Sequence, residues 1–305
     1  MANQRNASMG LDKALAAYLL SLGEDDQLLS TRDLAEQFGV SLGSISAALN
    51  YLELIGAVSI RRRGRLGSFL ERKSLGSLWH IVENRPMVIA LTLPSFAKCE
   101  GLATALYSLL NGAGVETYLT FIRGSVNRIK ALRHGQCHAA VMSALAAEHL
   151  REEGEEIALE LPPLSFVQEH QVFFRRNREV TPRPLTVGYD PDSFDVKHLT
   201  ELEFAGQDVI LQPMTFTQID LHLEDSSVDA AITNSDFMER LTSKQFDSRP
   251  LSPEVKAQVG ERYTAAAFVT RAGSPTSVVL QEALDPDRVL EIQQQVVEGR
   301  LVPRY

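Results

Sequence analysis

Three serines are the first candidates for chemistry. Ser95, Ser125 and Ser143 each stand just past a short apolar run, respectively MVIALTL, VETYLTFI and HAAVM. Hydroxyls beyond the carboxyl ends of strands, where helices begin and present free backbone N–H groups, suit an anionic group. Phe96, next to the first serine, can cover an apolar portion of the same molecule. A second set occupies matching positions later in the chain: Tyr189 and Asp190 after a strand-like LTVG, then Asn234 and Ser235 after DAAIT. Each serine can equally serve only as a helix cap. Asp190 and Asp236 would repel an anion or select a ligand amine, so a simple carboxylate and an amino-acid-like compound both stay open.

A different chemistry is written nearer the N-terminus. Arg61, Arg62, Arg63, Arg65, Arg72 and Lys73 fall within thirteen residues, opposed only by Glu71. Such a cluster suits phosphate. Charge is otherwise uneven: residues 1–80 carry nine basic and eight acidic side chains, whereas the remainder carries 21 against 31 and is a poor surface for nucleic acid.

Several tempting arrangements fail on spacing. His134, Cys137 and His138 are of ligand type, but Gly135 breaks the helix that would align them for zinc. The run DPDSFD, residues 190–195, puts Asp195 where a calcium loop needs glycine. No Gly-x-Ser-x-Gly, phosphate loop or dinucleotide fingerprint occurs, so no cofactor and no catalysis are expected. The two cysteines, Cys99 and Cys137, form no disulfide framework, which fits a cytoplasmic location. Lys13 and ALAAYLLSL resemble an export signal, yet Glu24, Asp25 and Asp26 stand where cleavage would occur. Leu11, Leu15, Tyr18, Leu19 and Leu22 instead fit one face of a first helix. No apolar run approaches the roughly 20 residues of a membrane span.

The elements that must position these residues fall into two parts. In residues 28–73, Ser30 caps a helix bearing Leu34, Ala35 and Phe38, Gly39 permits a turn, and Ser41 caps a second helix bearing Ile45, Leu49 and Leu52. Two strands, residues 58–60 and 68–70, then join through RRRGRLG with Gly64 and Gly67 at the bend. A helix-turn-helix followed by a basic hairpin is a winged helix, and its expected DNA contacts are Ser41, Ser44, Ser46, Arg61, Arg62, Arg63 and Arg65. A connecting helix follows in residues 74–86, with Leu75, Leu78, Trp79 and Val82 on one side, and Trp79 is expected as local core with a dimer contact as the alternative. From Met87 onward strands and helices alternate in two similar series, and the near-repeat of CHAAVMS as VDAAITN marks equivalent strands of two α/β lobes. Residues 166–176 and 265–273 are extended and cross between the lobes.

The stretch LLSTRDLAEQFGVS with LELIGAVSI and RRRGRLGSFL resembles the DNA-binding domain of GntR-type bacterial regulators, except that Leu42, Gly43, Ser44 and Ser46 replace the usual basic start of the recognition helix. The recurring helix, Gly-x-x-Asp and small apolar strand, seen as ALRHGQCHAAVMS and LEDSSVDAAITN, resembles the type 2 periplasmic-binding-protein fold used by LysR-type effector domains, with His138 in place of Asp in the first copy. The whole order resembles the YhfZ-type family of bacterial transcriptional regulators. That resemblance implies an α/β chain with an N-terminal winged helix-turn-helix (1–73), a linker helix (74–86) and a two-lobed type 2 periplasmic-binding-protein-like domain (87–305). Lobe I is expected at 87–168 and 270–305, and lobe II at 169–269. The implied function is ligand-responsive transcriptional control, with DNA and a small-molecule effector as partners and no membrane contact. A homodimer is expected because one short winged helix offers few contacts. The alternatives are a small-molecule binding protein without DNA activity and an enzyme on the same fold.

Overall fold

The computed structural model describes residues 2–175, 184–240 and 246–305, so Arg176 and the rest of the charged stretch 176–183 lie outside the described residues. The chain divides into two compact units. One comprises the chain up to Met87 with Ser108–Tyr118 and Gly273–Leu284; the other comprises Val88–Tyr107, Leu119–Ala272 and Asp285–Tyr305.

In the first unit, helix α1 (Ala2–Ser21) buries Leu15, Ala16, Leu19 and Leu20. Helix α2 (Thr31–Phe38) starts at Ser30, whose hydroxyl accepts the Asp33 N–H, and stops at Gly39 with φ 65°. Helix α3 (Leu42–Leu54) starts at Ser41, whose hydroxyl accepts the Ser44 N–H. Strands β1 (Val58–Arg62) and β2 (Ser68–Lys73) pair antiparallel, and Gly64 and Gly67 take positive φ at the bend between them. Helix α4 (Leu75–Glu83) is no loose linker: Leu78, Trp79 and Val82 are buried, and α4 packs on α1 and on the helix Pro275–Ala283. Trp79 Nε1 donates to Arg85 O at 2.9 Å, which satisfies its one polar atom and fixes it as local core. Among the described residues no helix is long and apolar enough to cross a membrane.

The second part of the chain supplies strands β3 (Met87–Leu91), β4 (Thr117–Phe121), β5 (Ala139–Ser143) and β6 (Glu155–Glu160) with helices α5 (Ala97–Gly112), α6 (Ser125–Arg133) and α7 (Ala144–Leu150). It continues through β7 (His170–Arg175), β8 (Leu185–Tyr189), α8 (Phe194–Glu203), β9 (Val209–Pro213), α9 (Ile219–Glu224), β10 (Ala230–Asn234), α10 (Ser235–Arg240) and β11 (Phe246–Pro250). Helix α11 (Pro253–Val259), strand β12 (Ala266–Arg271), α12 (Pro275–Ala283) and α13 (Pro286–Val297) complete it.

These strands form two sheets, ordered β4-β3-β5-β12-β6 and β9-β8-β10-β7-β11. The orders correspond strand for strand. In each, the central strand pairs parallel with the first strand of its series (β3/β5, β8/β10) and antiparallel with a strand reached by a crossing between sheets (β12, β7). The near-repeated segments are β5 and β10, the two central strands, and every residue of both is buried. That is why both are written in small apolar residues: each is covered on both faces. Strand β12 lies wholly in the first sheet, so the second crossing is complete by Ala266 and not at 270 as expected. The outer strands β6 and β11, EEIALE and FDSRP, carry little sequence signal because edge strands are half-exposed and these two lack clean alternation.

The two copies of the strand-entry turn are built alike despite His138. Asp229 N–H donates to Thr186 O at 2.8 Å, and its Oδ2 accepts the Thr186 N–H at 2.9 Å. His138 N–H donates to Val88 O at 2.7 Å, and its Nδ1 accepts the Val88 N–H at 2.8 Å. Val88 and Thr186 are each the second residue of their strand, so the imidazole nitrogen replaces the carboxylate oxygen at the same step. Accordingly, His138→Asp should retain the pair, whereas His138→Leu leaves the Val88 N–H without its acceptor. Chemical denaturation should show the leucine variant less stable than the aspartate variant by about 1–2 kcal/mol.

Candidate ligand cleft and DNA-contact surface

The C-terminal ends of β3, β4, β8 and β10 converge on a cavity of about 70 Å³. Thr92, Ser95 and Phe96 follow β3; Arg123, Gly124 and Ser125 follow β4; Asp190 follows β8 and Asn234 ends β10. His170, first residue of β7, and Phe166 before it enter from the first crossing. The volume admits a few waters or one small organic group.

One wall of the cavity is a clasp between the sheets. Arg123, on the first sheet, pairs with Asp190 through Nη1 at 2.5 Å and with Asp192 through Nη2, both on the second sheet. Burial works against this guanidinium, but the two carboxylates outweigh it and hold its pKa above the ordinary value. Val126 N–H donates to Asp192 O at 3.1 Å. Ser125 Oγ accepts the Phe194 N–H at 3.0 Å and so caps α8 from the opposite sheet, where Ser193 makes no side-chain cap. Ser143 accepts the Ala146 N–H to cap its own helix α7 and donates to Asp195 Oδ1 at 2.7 Å, in the first turn of α8. Gly124 makes the approach possible: at φ 77° a Cβ there would meet the Asp192 carbonyl and stand 2.6 Å from Asp192 Cβ.

Deeper in the cavity lies Arg128, 3% exposed. Its Nε donates to Val141 O at 2.7 Å and its Nη1 to Ile122 O at 2.8 Å. Burial lowers its pKa to about 10, and no carboxylate of the described residues forms an ion pair with it. Burial raises the nearby Asp195 to about 6, against the hydrogen bond from Ser143 and the charge of Arg128. Burial also depresses His170 to about 4, so its imidazole is neutral at physiological pH; its Nδ1 has no hydrogen-bond partner.

Of the residues expected at the site, Ser95, Phe96, Ser125, Asp190 and Asn234 line one cavity. Ser143 does not, because it is fully buried and its hydroxyl is spent on the α7 cap and Asp195. Tyr189 and Ser235 are also outside the wall; Tyr189 O accepts the Met214 N–H and Ser235 N–H donates to Glu169 O. Asp236 accepts the Gln168 N–H at 2.6 Å, holding α10 to the crossing segment. The residues that sequence reading misses are Arg123, Arg128, His170 and Asp195. Arg128 does leave a signal: with Ser125, Ile129 and Leu132 it forms the buried stripe of α6, where an arginine is out of place unless it faces something polar. His138, one of the possible zinc ligands, is instead engaged through Nδ1 with the backbone of β3.

The N-terminal surface forms a separate candidate site. Ser41, Ser44 and Ser46 are exposed at the start of α3; the Ser41 and Ser44 hydroxyls share a hydrogen bond of 2.9 Å, and Ser46 Oγ donates to Leu42 O. In the wing, Arg61 pairs with Asp25 at 2.6 Å and Arg62 makes a two-point contact with Glu53. Arg63 lies over the Phe69 ring, and Arg65 is exposed with no ion pair among the described residues. The Arg61–Asp25 pair, with Asp25 exposed, is of the kind worth only about 0–1 kcal/mol, whereas Glu53 is half-buried and also accepts the Ile60 N–H, so Arg62 is held more firmly. Lys73 leaves the basic cluster: its side chain is 3% exposed, and Nζ donates to Leu20 O and Leu22 O at the end of α1 and to Glu282. A cation buried against helix carbonyls serves the helix terminus and is closed to phosphate.

Two outcomes follow from the cleft. Gly124→Ala should force the sheets apart at Asp192, and small-angle scattering should report a larger radius of gyration with the fold retained. For His170 the folded pKa of about 4 lies below the ordinary 6.5, so the stability it protects is present above pH 6.5 and lost as pH falls toward 4. His170→Asn should therefore lose less stability than the unsubstituted protein between pH 7 and pH 5, by on the order of 2 kcal/mol in denaturant titrations. The Asp195 contribution, of opposite sign, is common to both proteins.

Similarity to known proteins is specific. Residues 75–305 match the YhfZ C-terminal domain, and residues 24–70 match a helix-turn-helix domain. The chain is 33% identical over 293 residues to the YhfZ protein of Escherichia coli K12, covering 95% of each. It is similar to the crystal structure of YhfZ from Shigella flexneri, with TM-score 0.62, 31% identity, and coverage of 76% of this chain and 98% of that one. A fold likeness extends to the periplasmic aliphatic sulphonate binding protein SsuA from Escherichia coli, with TM-score 0.51 and 14% identity over 71% of this chain and 75% of that one. The sequence match over nearly the whole length and the domain match over residues 75–305 place this chain in the YhfZ family.

Proposed function

We propose that this chain is a cytoplasmic, non-enzymatic transcriptional regulator that binds DNA as a homodimer through its winged helix and senses a small anionic metabolite in the cleft between its two sheets. The observation that supports it is the joining, in one chain, of a helix-turn-helix domain and a two-lobed domain with a polar-lined cavity at the strand ends. Arg63 and Arg65 at the wing tip, with Arg61 and Arg62 released from Asp25 and Glu53, supply phosphate or minor-groove contacts. Ser41, Ser44 and Ser46 meet the groove edge, where hydroxyls read bases weakly. Ser95, Ser125 and Asn234, from three strand ends and both lobes, surround the effector. Ligand held by both lobes favours the closed pair, and that bias is the free energy available to change operator affinity, of roughly 1–3 kcal/mol.

A second reading, a small-molecule binding protein without DNA activity, draws support from the start of α3, where Leu42, Gly43, Ser44 and Ser46 offer no cation. Fluorescence anisotropy with a pool of random duplexes separates the two. Changing Arg61, Arg62, Arg63 and Arg65 together to alanine should weaken binding to every sequence and reduce the salt slope by roughly one for each phosphate no longer neutralised. Absence of binding by the unsubstituted protein at low salt supports the second reading, and unchanged affinity in the variant moves the DNA surface elsewhere. Sedimentation at micromolar concentration should show a dimer.

A further inference from the structure

Four charged side chains line the cleft, and they are not equivalent. Arg123 is neutralised by Asp190 and Asp192. Asp190 is fully engaged in turn: Oδ1 accepts the Asp192 N–H at 2.9 Å, and Oδ2 accepts the Phe216 N–H at 3.0 Å as well as Arg123. It therefore offers no seat for a ligand ammonium, and Asp236, held by the Gln168 N–H, does not line the cavity. Asp195 accepts the Ser143 hydroxyl. Arg128 is left as a buried cation with two nitrogens on neutral carbonyls, at the wall of a cavity that also presents the Thr92 and Ser125 hydroxyls. A guanidinium removed from water with no carboxylate in contact, and only the charge of Asp195 nearby, is costly, and an anion that reaches it recovers part of that cost. His170, 4% exposed and lining the same cavity, has a buried Nδ1 with no hydrogen-bond partner. Ser95, Ser193 and Asn234 add neutral polar groups, and Leu93, Phe96, Phe166, Val167 and Phe216 supply an apolar part of the wall.

We propose that the cleft selects a small organic monoanion, a short carboxylate without an ammonium group, with its acid on the Arg128 guanidinium and its apolar remainder against Phe96, Phe166 and Phe216. This rests on the cleft being the effector site. Arg128, the cleft cation that no carboxylate contacts among the described residues, matches one negative charge; a second negative charge would meet Asp190 and Asp195 on the same wall, and a zwitterion would bring its ammonium beside the guanidinium. The planar fork of a guanidinium also fits a carboxylate. His170, neutral on the same wall, adds no second positive charge. The cavity of about 70 Å³ sets the size at a few heavy atoms.

The test uses the full chain, at about pH 8 where inorganic phosphate is mostly the dianion, and a matched series of probes: acetate, propionate and butyrate as monoanions, butanamide as the neutral analogue, 2-aminobutyrate as the zwitterion, and succinate and inorganic phosphate as dianions. Titration calorimetry measures affinity, and hydrogen exchange read by mass spectrometry on residues 92–96 and 123–128 locates binding. Propionate or butyrate should bind at least roughly tenfold more tightly than the amide, the zwitterion and both dianions, and should slow exchange in those two segments. Arg128→Gln should weaken that binding by roughly tenfold to a hundredfold. Because Arg128 is buried, Thr92→Val is the gentler companion, expected to cost a few-fold while leaving the melting temperature unchanged. Charge selection by the unsubstituted protein needs neither variant. If phosphate, the zwitterion or the amide binds as tightly and protects the same segments, the monocarboxylate assignment falls while the cleft stands as the site. If the carboxylates bind but protection lies elsewhere, the cleft reading itself fails. If no monocarboxylate binds at millimolar concentration, the proposal is overturned.

Discussion

The guanidinium of Arg123, spread between Asp190 and Asp192, is the interaction on which the geometry of the cleft depends. It joins the end of β4 to the turn after β8, and around it the hydroxyls of Ser125 and Ser143 complete the first turn of a helix that belongs to the other sheet. These contacts form one network. Their value lies in cooperation, because each polar group in the clasp satisfies a partner that burial would otherwise leave unpaired. Gly124 sets how near the two sheets come, since backbone conformation and lack of a side chain are both required there.

A closed wall of this kind also decides what the cavity can bind. Charge is consumed in building the clasp, so Arg123 and Asp190 are present at the site without being available to a ligand. Arg128 and His170 are left over, and they share a cause: both are held deep by apolar packing, which shifts each toward its neutral form. Groups perturbed by burial and facing a cleft are where recognition is concentrated. The same economy appears in the wing, where Asp25 and Glu53 hold Arg61 and Arg62 in place and Lys73 is withdrawn altogether to close a helix.

Duplication is the second organising fact. Two five-stranded sheets share one strand order, each completed by a strand that arrives through a crossing, and the substitution of His138 for an aspartate leaves the strand-entry bonds unchanged. The motif therefore constrains an acceptor at a position rather than a residue type. Backbone N–H and C=O groups at the start of an inner strand must be satisfied, and an imidazole nitrogen or a carboxylate oxygen can do so.

Local rules made much of this legible in the chain alone. Ser30, Gly39 and Ser41 announced the helix-turn-helix because caps and left-handed turns act within a few residues. The repeated small apolar strands announced two lobes because central strands buried on both faces admit little else. Five cleft residues, Ser95, Phe96, Ser125, Asp190 and Asn234, followed from their place at strand ends. Tertiary structure decided the rest. Whether Ser143 faced a ligand or Asp195, whether Lys73 met solvent or the end of α1, and whether Arg123 or Arg128 kept its charge free all depend on partners far away in sequence. A side chain's chemistry is written in its residue type, but its availability is fixed only when distant segments have taken, or left, its hydrogen bonds.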